Sequence, residues 1–292
     1  MFKNSFIIIA LIFIFIQKNN AQTTFPTNGA PNPVHTIYAF TNCTLHVDAD
    51  AIINNATLII QDGKIIRLGE KMEAPKDAIT IDLKGKHIYP AFIDLYSDYG
   101  MADVKRTEVG NEPKRGAYGS NQAIRSDIDA YKLFLNNQSK ADALRKQGFG
   151  AALIFNNDGI VKGSGALVCI ANAKENECII KDKAAGFYSF NKGSSSQAYP
   201  SSLMGAVALL RQTYYDGQWY ASSVNKVEYN ITLDAFNKLQ ELPSVFDGGD
   251  KYNDIRGKKI GDEFKTKYII KGGGNEYQRL YDIQNTYSKF II

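Results

Sequence analysis

The chain reads as an α/β protein in which a small all-β unit leads into a parallel sheet with crossover helices. Three observations predict this. Ahead of residue 87, short β-rich runs are separated by turn residues, Asp62-Gly63 above all. At residues 88–95 the run is almost continuously apolar, as in a strand buried on both faces. From there to residue 292, strand-like and helix-like segments alternate, which requires crossover connections between parallel strands.

Residues 1–21 carry Lys3, an unbroken apolar run at 6–16 and then Asn19, Asn20 and Ala21. That is the plan of a secretory signal peptide, and the run is shorter than the roughly 20 residues of a spanning helix. It predicts export to a periplasmic or extracellular compartment, with no membrane span once the segment is removed. Residues 22–35, rich in Thr, Asn and Pro, form a linker. The β unit occupies 36–87, with strands at 37–47, 57–61 and 64–68, and residues 82–86, with Gly85, leading by another turn into the next stretch. Asp62-Gly63 supplies the two positive-φ residues of a type I′ hairpin.

The larger region, 88–292, opens on the apolar strand at 88–95, followed by a long polar loop over 100–119. A helix at 131–147, stopped by Gly148, precedes a buried strand at 151–155. Residues 166–170 and 178–181 fit either a hairpin or two separate strands. After a Gly/Ser-rich loop at 193–196 comes a helix at 201–219, with Leu203, Val207, Leu210 and Tyr214 on one side. A shorter helix at 232–240 and a strand at 244–246 follow. The pattern then repeats as a strand at 267–270, three glycines, a helix at 276–285 and a final strand from 289.

Composition narrows the function. A 292-residue chain with 44% hydrophobic and 22% charged residues is ordinary for a globular protein. Residues 1–21 hold Lys3 and Lys18 and no acid, so the formal charge of +4 falls to +2 without them and gives no footing for nucleic acid or an anionic membrane. Three cysteines are too few for a disulfide framework. A hairpin centred on Ala173-Lys174 would set Cys169 opposite Cys178; a cross-strand bridge and two buried thiols both remain open, the thiols being favoured. There is no phosphate-loop motif and no G-x-S-x-G elbow. Ser164 and Ser194 to Ser196 have no histidine nearby in sequence to act as base, and read as parts of flexible loops.

Two stretches carry more information: NATLIIQDGKIIRLGE at 55–70 and YPAFIDLYSDYG at 89–100. Together they resemble the amidohydrolase superfamily, and most closely its secreted, imidazolonepropionase-like bacterial members. The resemblance implies a β-sandwich flanking a (β/α) barrel, hydrolysis of carbon–nitrogen bonds other than linear peptides, and a divalent metal, usually zinc. In the family the first barrel strand runs Pro-Gly-Phe-Ile-Asp-x-His-x-His. Two histidines at i and i+2 point inward together at the strand's C-terminal end, where barrel active sites lie. Here Tyr96 and Asp98 hold those positions. A neutral phenol is a poor zinc ligand, while Asp98 retains oxygen chemistry for a hard cation.

The chain's three histidines, His35, His46 and His87, lie ahead of that strand end. Even His87 is about 30 Å short of Tyr96 in extended chain, at ~3.3 Å per residue. All three read as solvated or hydrogen-bonded. In KYIIKGGGNEYQRL, Lys271 falls on a strand-end position where relatives carry a histidine. Its following glycines fit a tight turn better than an anion site at a helix N-terminus.

A barrel of this kind takes about 250 residues. From residue 89 onward the chain offers 204 and five or six credible strands. The expectation is therefore an incomplete barrel: an exported, amidohydrolase-like portion without its own metal site or cofactor, acting as scaffold for a catalytic barrel beyond residue 292. Its partner would be a further domain of the same polypeptide or a second copy. Two alternatives stand beside this: a hydrolase with a reduced single-metal site built on Asp98 and Lys271, and a periplasmic ligand-binding module that uses Tyr96.

Overall fold

The computed structural model describes residues 35–104, 120–223, 228–284 and 289–291. The signal-peptide segment 1–21, the linker through residue 34 and residues 105–119 of the polar loop lie outside them. The chain divides into two compact units, Met1–Pro90 and Ala91–Ile292.

In the first unit, β1 (Ile37–His46), β2 (Ile52–Gln61), β3 (Lys64–Glu70), β4 (Ile79–Asp82) and β5 (His87–Ile88) form one five-stranded sheet. The order is β3-β2-β1-β4, with β5 also pairing to β1. Asp62 and Gly63 have φ of 51° and 70°, so the β2–β3 hairpin turns where the sequence places it. Cys43, Leu45, Ala56 and Leu58 make the core of the unit. The turn expected at 82–86 follows β4, which was not expected. The Asp82 carboxylate accepts hydrogen bonds from Lys84 N and Asn42 Nδ2, and turns the chain through Lys84 and Gly85 at positive φ.

The expected single strand at 88–95 is also interrupted. β5 ends at Ile88, Pro90 has no N–H to give to a ladder, and β6 (Phe92–Ser97) starts the second unit. That unit continues with α1 (Ala130–Leu133), α2 (Gln138–Lys146), β7 (Phe149–Ile154), β8 (Val161–Cys169), α3 (Glu175–Cys178), β9 (Ile179–Ser189), α4 (Leu203–Ser222) and α5 (Ile231–Leu239). β10 (Ser244–Asp247), α6 (Lys251–Phe264), β11 (Tyr268–Lys271), a 3-10 turn (Glu276–Arg279), α7 (Leu280–Gln284) and β12 (Lys289–Ile291) complete it. The seven strands form a sheet in the order β12-β11-β10-β9-β8-β7-β6. Six run parallel; β8 alone is antiparallel, to both β7 and β9, which settles the hairpin alternative. The fold is thus mixed α/β, and among the described residues β6 and β12 are its two edges rather than a closed pair.

Both faces of the central strands are covered. On one side Leu153, Phe155, Ala185, Phe187 and Val245 pack with Tyr96, Ile269 and Ile291. On the other, Tyr188, Phe246, Tyr268 and Ile270 pack against Leu210 and Tyr214 of α4, Phe236 of α5 and Ile260 of α6. The pairs Phe187/Tyr188, Val245/Phe246 and Ile269/Ile270 divide between the faces by the two-residue strand period.

Two expectations are corrected here, and one helix is added. The apolar strand is not buried on both faces: Phe92, Ile93 and Leu95 are 65%, 53% and 47% exposed, because β6 is an edge strand. The helix expected at 131–147 is two pieces. Phe134 leaves the helical path to pack against Tyr99, and Asn137 caps α2 by accepting from Lys140 N. α6, unforeseen, is capped by the Asp250 carboxylate and carries Gly257 and Gly261 where it meets the sheet; a Cβ on Gly257 would lie 2.6 Å from the Phe246 ring. Those glycines and its many charges hide the apolar period. Among the described residues no helix is long and apolar enough to cross a membrane.

Candidate functional site

The strand period that sorts the core also aims the strand-end residues. Asp247 shares a face with Val245 and Lys271 shares one with Ile269, so both point to the side that holds Tyr96 and Phe187. There the Tyr96 hydroxyl donates to Asp247 Oδ2 at 2.6 Å. Lys162 Nζ donates to Asn157 Oδ1 at 2.7 Å and to the Tyr96 hydroxyl at 3.2 Å. The two ammonium groups flank the carboxylate, Lys162 3.8 Å from Oδ2 and Lys271 3.8 Å from Oδ1. Each also lies over the Tyr96 ring, at 5.7 Å and 5.3 Å from its centroid. Phe155 and Phe187, stacked at 4.1 Å, form the apolar floor.

Lys162 reaches this cluster by an irregularity. In the β8–β9 ladder Val161 pairs with Tyr188 and Gly163 with Phe187, so Lys162 is the extra residue of a β-bulge. Gly163 takes up the bend at φ 86°, and a Cβ there would lie 2.1 Å from the Ile128 carbonyl oxygen. Because β8 is antiparallel, its beginning meets the ends of its parallel neighbours. Only 3% exposed, Lys162 has its ammonium pKa pushed down to about 8 by burial, with Lys271 adding to the fall and Asp247 opposing it. Burial, then the hydrogen bond to Asp247 and its charge, hold the Tyr96 phenol well above its usual range, so it stays a neutral donor.

Two further polar networks lie nearby in sequence. Asp158 is buried and takes an ion pair from Arg125 at 2.9 Å and hydrogen bonds from Ser194 N and Oγ at 2.6 and 2.7 Å. The serine loop is thus pinned, contrary to the flexible loop expected at 193–196. Ser164 lies within β8, where its hydroxyl donates to Asp129, so Gly163-Ser164-Gly165 is strand rather than loop. At the end of β11, the backbone N–H groups of Gly273 and Gly274 donate to the side chain of Glu276. The donors an anion would need are occupied from within, in keeping with a turn at the triple glycine.

Of the three sequence candidates, Tyr96 and Lys271 come together around Asp247. Asp98 does not join them: it is exposed beyond the end of β6, its carbonyl accepting from Met101 N. His46 and His87 hydrogen-bond to each other at 2.8 Å and His35 to Asp62 at 3.1 Å, all in the first unit. Sequence reasoning missed Asp247, Asn157 and Lys162. Asp247 carried a usable signal, a charged residue between a short strand and Gly248-Gly249, the same arrangement as Lys271 and its glycines.

Comparison with known proteins agrees with this architecture. No family model matches the chain. A dihydroorotase of Anaeromyxobacter dehalogenans strain 2CP-C is 29% identical over 118 residues, 37% of this chain and 26% of that protein. The dihydroorotase of Anaeromyxobacter sp. strain K is 27% identical over 117 residues, 37% and 25% respectively. Among solved structures, an amidohydrolase from Thermotoga maritima MSB8 superposes with a TM-score of 0.69 at 20% identity, over 87% of this chain and 69% of that one. In fold the chain resembles an amidohydrolase. The aligned stretch spans about a quarter of the length of the dihydroorotases it matches. On an amidohydrolase fold, the cluster around Asp247 occupies the C-terminal ends of the sheet strands, the end at which barrel enzymes place their chemistry.

Proposed function

We propose that this chain is a non-hydrolytic portion of an exported amidohydrolase-like protein, in which a barrel-type sheet and its flanking β unit act as scaffold for a catalytic barrel carried elsewhere in the assembly. The observation that carries this reading is the Asp247 carboxylate held between Tyr96, Lys162 and Lys271. A divalent cation needs imidazole, carboxylate or carbonyl donors turned toward it. Here a phenol already donates to the carboxylate, and two ammonium groups supply the positive charge that a metal would otherwise bring. These residues do not fit a metal, and no hydrolytic step is routed through one. Export rests on the charge and apolar pattern of residues 1–21.

Zinc titration tests this. After exposure to excess zinc and desalting, the purified chain is expected to retain less than about one-tenth of an equivalent and to leave cyclic amides intact. Stoichiometric zinc lost on Asp98→Ala, together with steady amide turnover, would replace the scaffold reading with a reduced metal site.

One observation favours ligand binding as a second reading. Oδ1 of Asp247 is buried and has no hydrogen-bond partner among the described residues, so it suits an N–H of a small cyclic amide. Thermal stabilisation by such amides without turnover would support that reading.

A further inference from the structure

The turn between β8 and β9 holds two cysteines in a defined relation. Val168 pairs with Ile179 at the end of the β8–β9 ladder, so Cys169, next along β8, and Cys178, the last residue of α3, flank that pair on its turn side. The Cys178 N–H is taken by the Lys174 carbonyl at 3.2 Å, so it does not bridge to β8. Paired residues of an antiparallel ladder have Cα atoms about 4.5–5.5 Å apart, and each cysteine is the chain neighbour of one member of such a pair. A disulfide spans Cα separations of roughly 4.4–6.8 Å. Cys178 is buried and Cys169 half-buried, both are free thiols, and both pack in one apolar cluster with Ala152, Val168 and Ile170. The Cys178 thiol meets Asn136 Nδ2 at 3.7 Å and the Ala171 carbonyl at 3.9 Å. Asn136 Nδ2 braces the turn by donating to the carbonyls of Ala171 and Ala173.

We propose that Cys169 and Cys178 are a modification site, a thiol pair that a small-molecule disulfide closes into an intramolecular cystine across the β8–β9 turn. The more accessible Cys169 thiolate attacks one sulfur of the oxidant, forming a mixed disulfide and expelling one thiolate. The Cys178 thiolate then attacks the Cys169 sulfur and expels the second. Two protein thiols are oxidised, the oxidant is reduced to two small thiols, and these take up the two protons released. Closure is the slow step: burial first, then the neighbouring Cys169, push the Cys178 thiol up to about 11. Its rate therefore rises about tenfold per pH unit below that value.

The test uses the whole purified chain incubated with oxidised glutathione at about pH 7.5 and 8.5, quenched in acid, alkylated and digested for mass spectrometry. The expected result is a Cys169–Cys178 cross-link that forms about tenfold faster at the higher pH and raises Tm by about 5 °C. Cys178→Ala is expected to accumulate a stable glutathione adduct at Cys169. Persistence of that adduct in the wild-type chain without closure would overturn the proposal. So would a pair that reacts only after unfolding in urea, and the wild-type measurement decides both without any variant.

Discussion

Asp254 is 2% exposed in the first turn of α6 and faces the Glu276 carboxylate, with neither of its oxygens in a well-aligned hydrogen bond. Burial, then Glu276, then the charges of Asp250 and Asp247 raise its pKa to about 8. The folded state thus binds this proton more tightly than the unfolded chain, where an aspartate titrates near ~3.9. The stabilisation is complete below about pH 4 and is lost as pH rises to about 8, on the order of 5 kcal/mol from this group. Asp254→Asn is expected to flatten that dependence, read from urea unfolding at several pH values. Lys162 has the opposite sign. Its folded pKa is depressed, so the cost of its burial is present below about pH 8 and falls away as pH rises toward ~10.4. Lys162→Met is expected to remove the rise on the alkaline side, read from urea unfolding across that range. Neither group stood out in the sequence. Their shifts come first from burial, and the neighbours that modify it, Glu276 for Asp254 and Asp247 and Lys271 for Lys162, are distant along the chain, whereas Tyr96 and Lys271 could be found from strand-end position alone.

Elements with a clean period or a strong turn were legible, and those shaped by close approach were not. β1, the Asp62-Gly63 hairpin and the helix capped by Ser202 lie within a few residues of their expected places. α6 was hidden because Gly257 and Gly261 lower helix propensity for the sake of contact with Phe246 and Thr266. β8 was only half seen, since Gly163 and Gly165 resemble a loop in sequence. Gly163→Ala tests why the glycine is there. Positive φ and a 2.1 Å approach to the Ile128 carbonyl predict a loss of at least about 2 kcal/mol, measured as a lower urea midpoint. Gly63→Ala, where nothing lies within 4 Å, should cost less despite its own positive φ.

At the scale of the whole molecule, the sheet of the second unit was foreseen in its parallel sense, and its antiparallel insertion only as one of two alternatives at 166–181. Its exposed edge, read in sequence as a doubly buried strand, has a physical consequence. Phe92, Ile93 and Leu95 present apolar side chains on a strand whose outer edge pairs with no other strand among the described residues, a template for association. Light scattering is expected to show concentration-dependent self-association that Ile93→Lys suppresses, with Tm within about 2 °C of wild type because the side chain is exposed. An unchanged scattering profile would assign the association to another surface.

The bulge at Lys162 has a consequence for how this protein could be altered. One supernumerary residue in β8 decides whether an ammonium group faces the interior, since pleated backbone turns successive side chains to opposite sides. A single-codon deletion there would restore regular phase with β9 and withdraw the charge while leaving β6, β10 and β11 as they are.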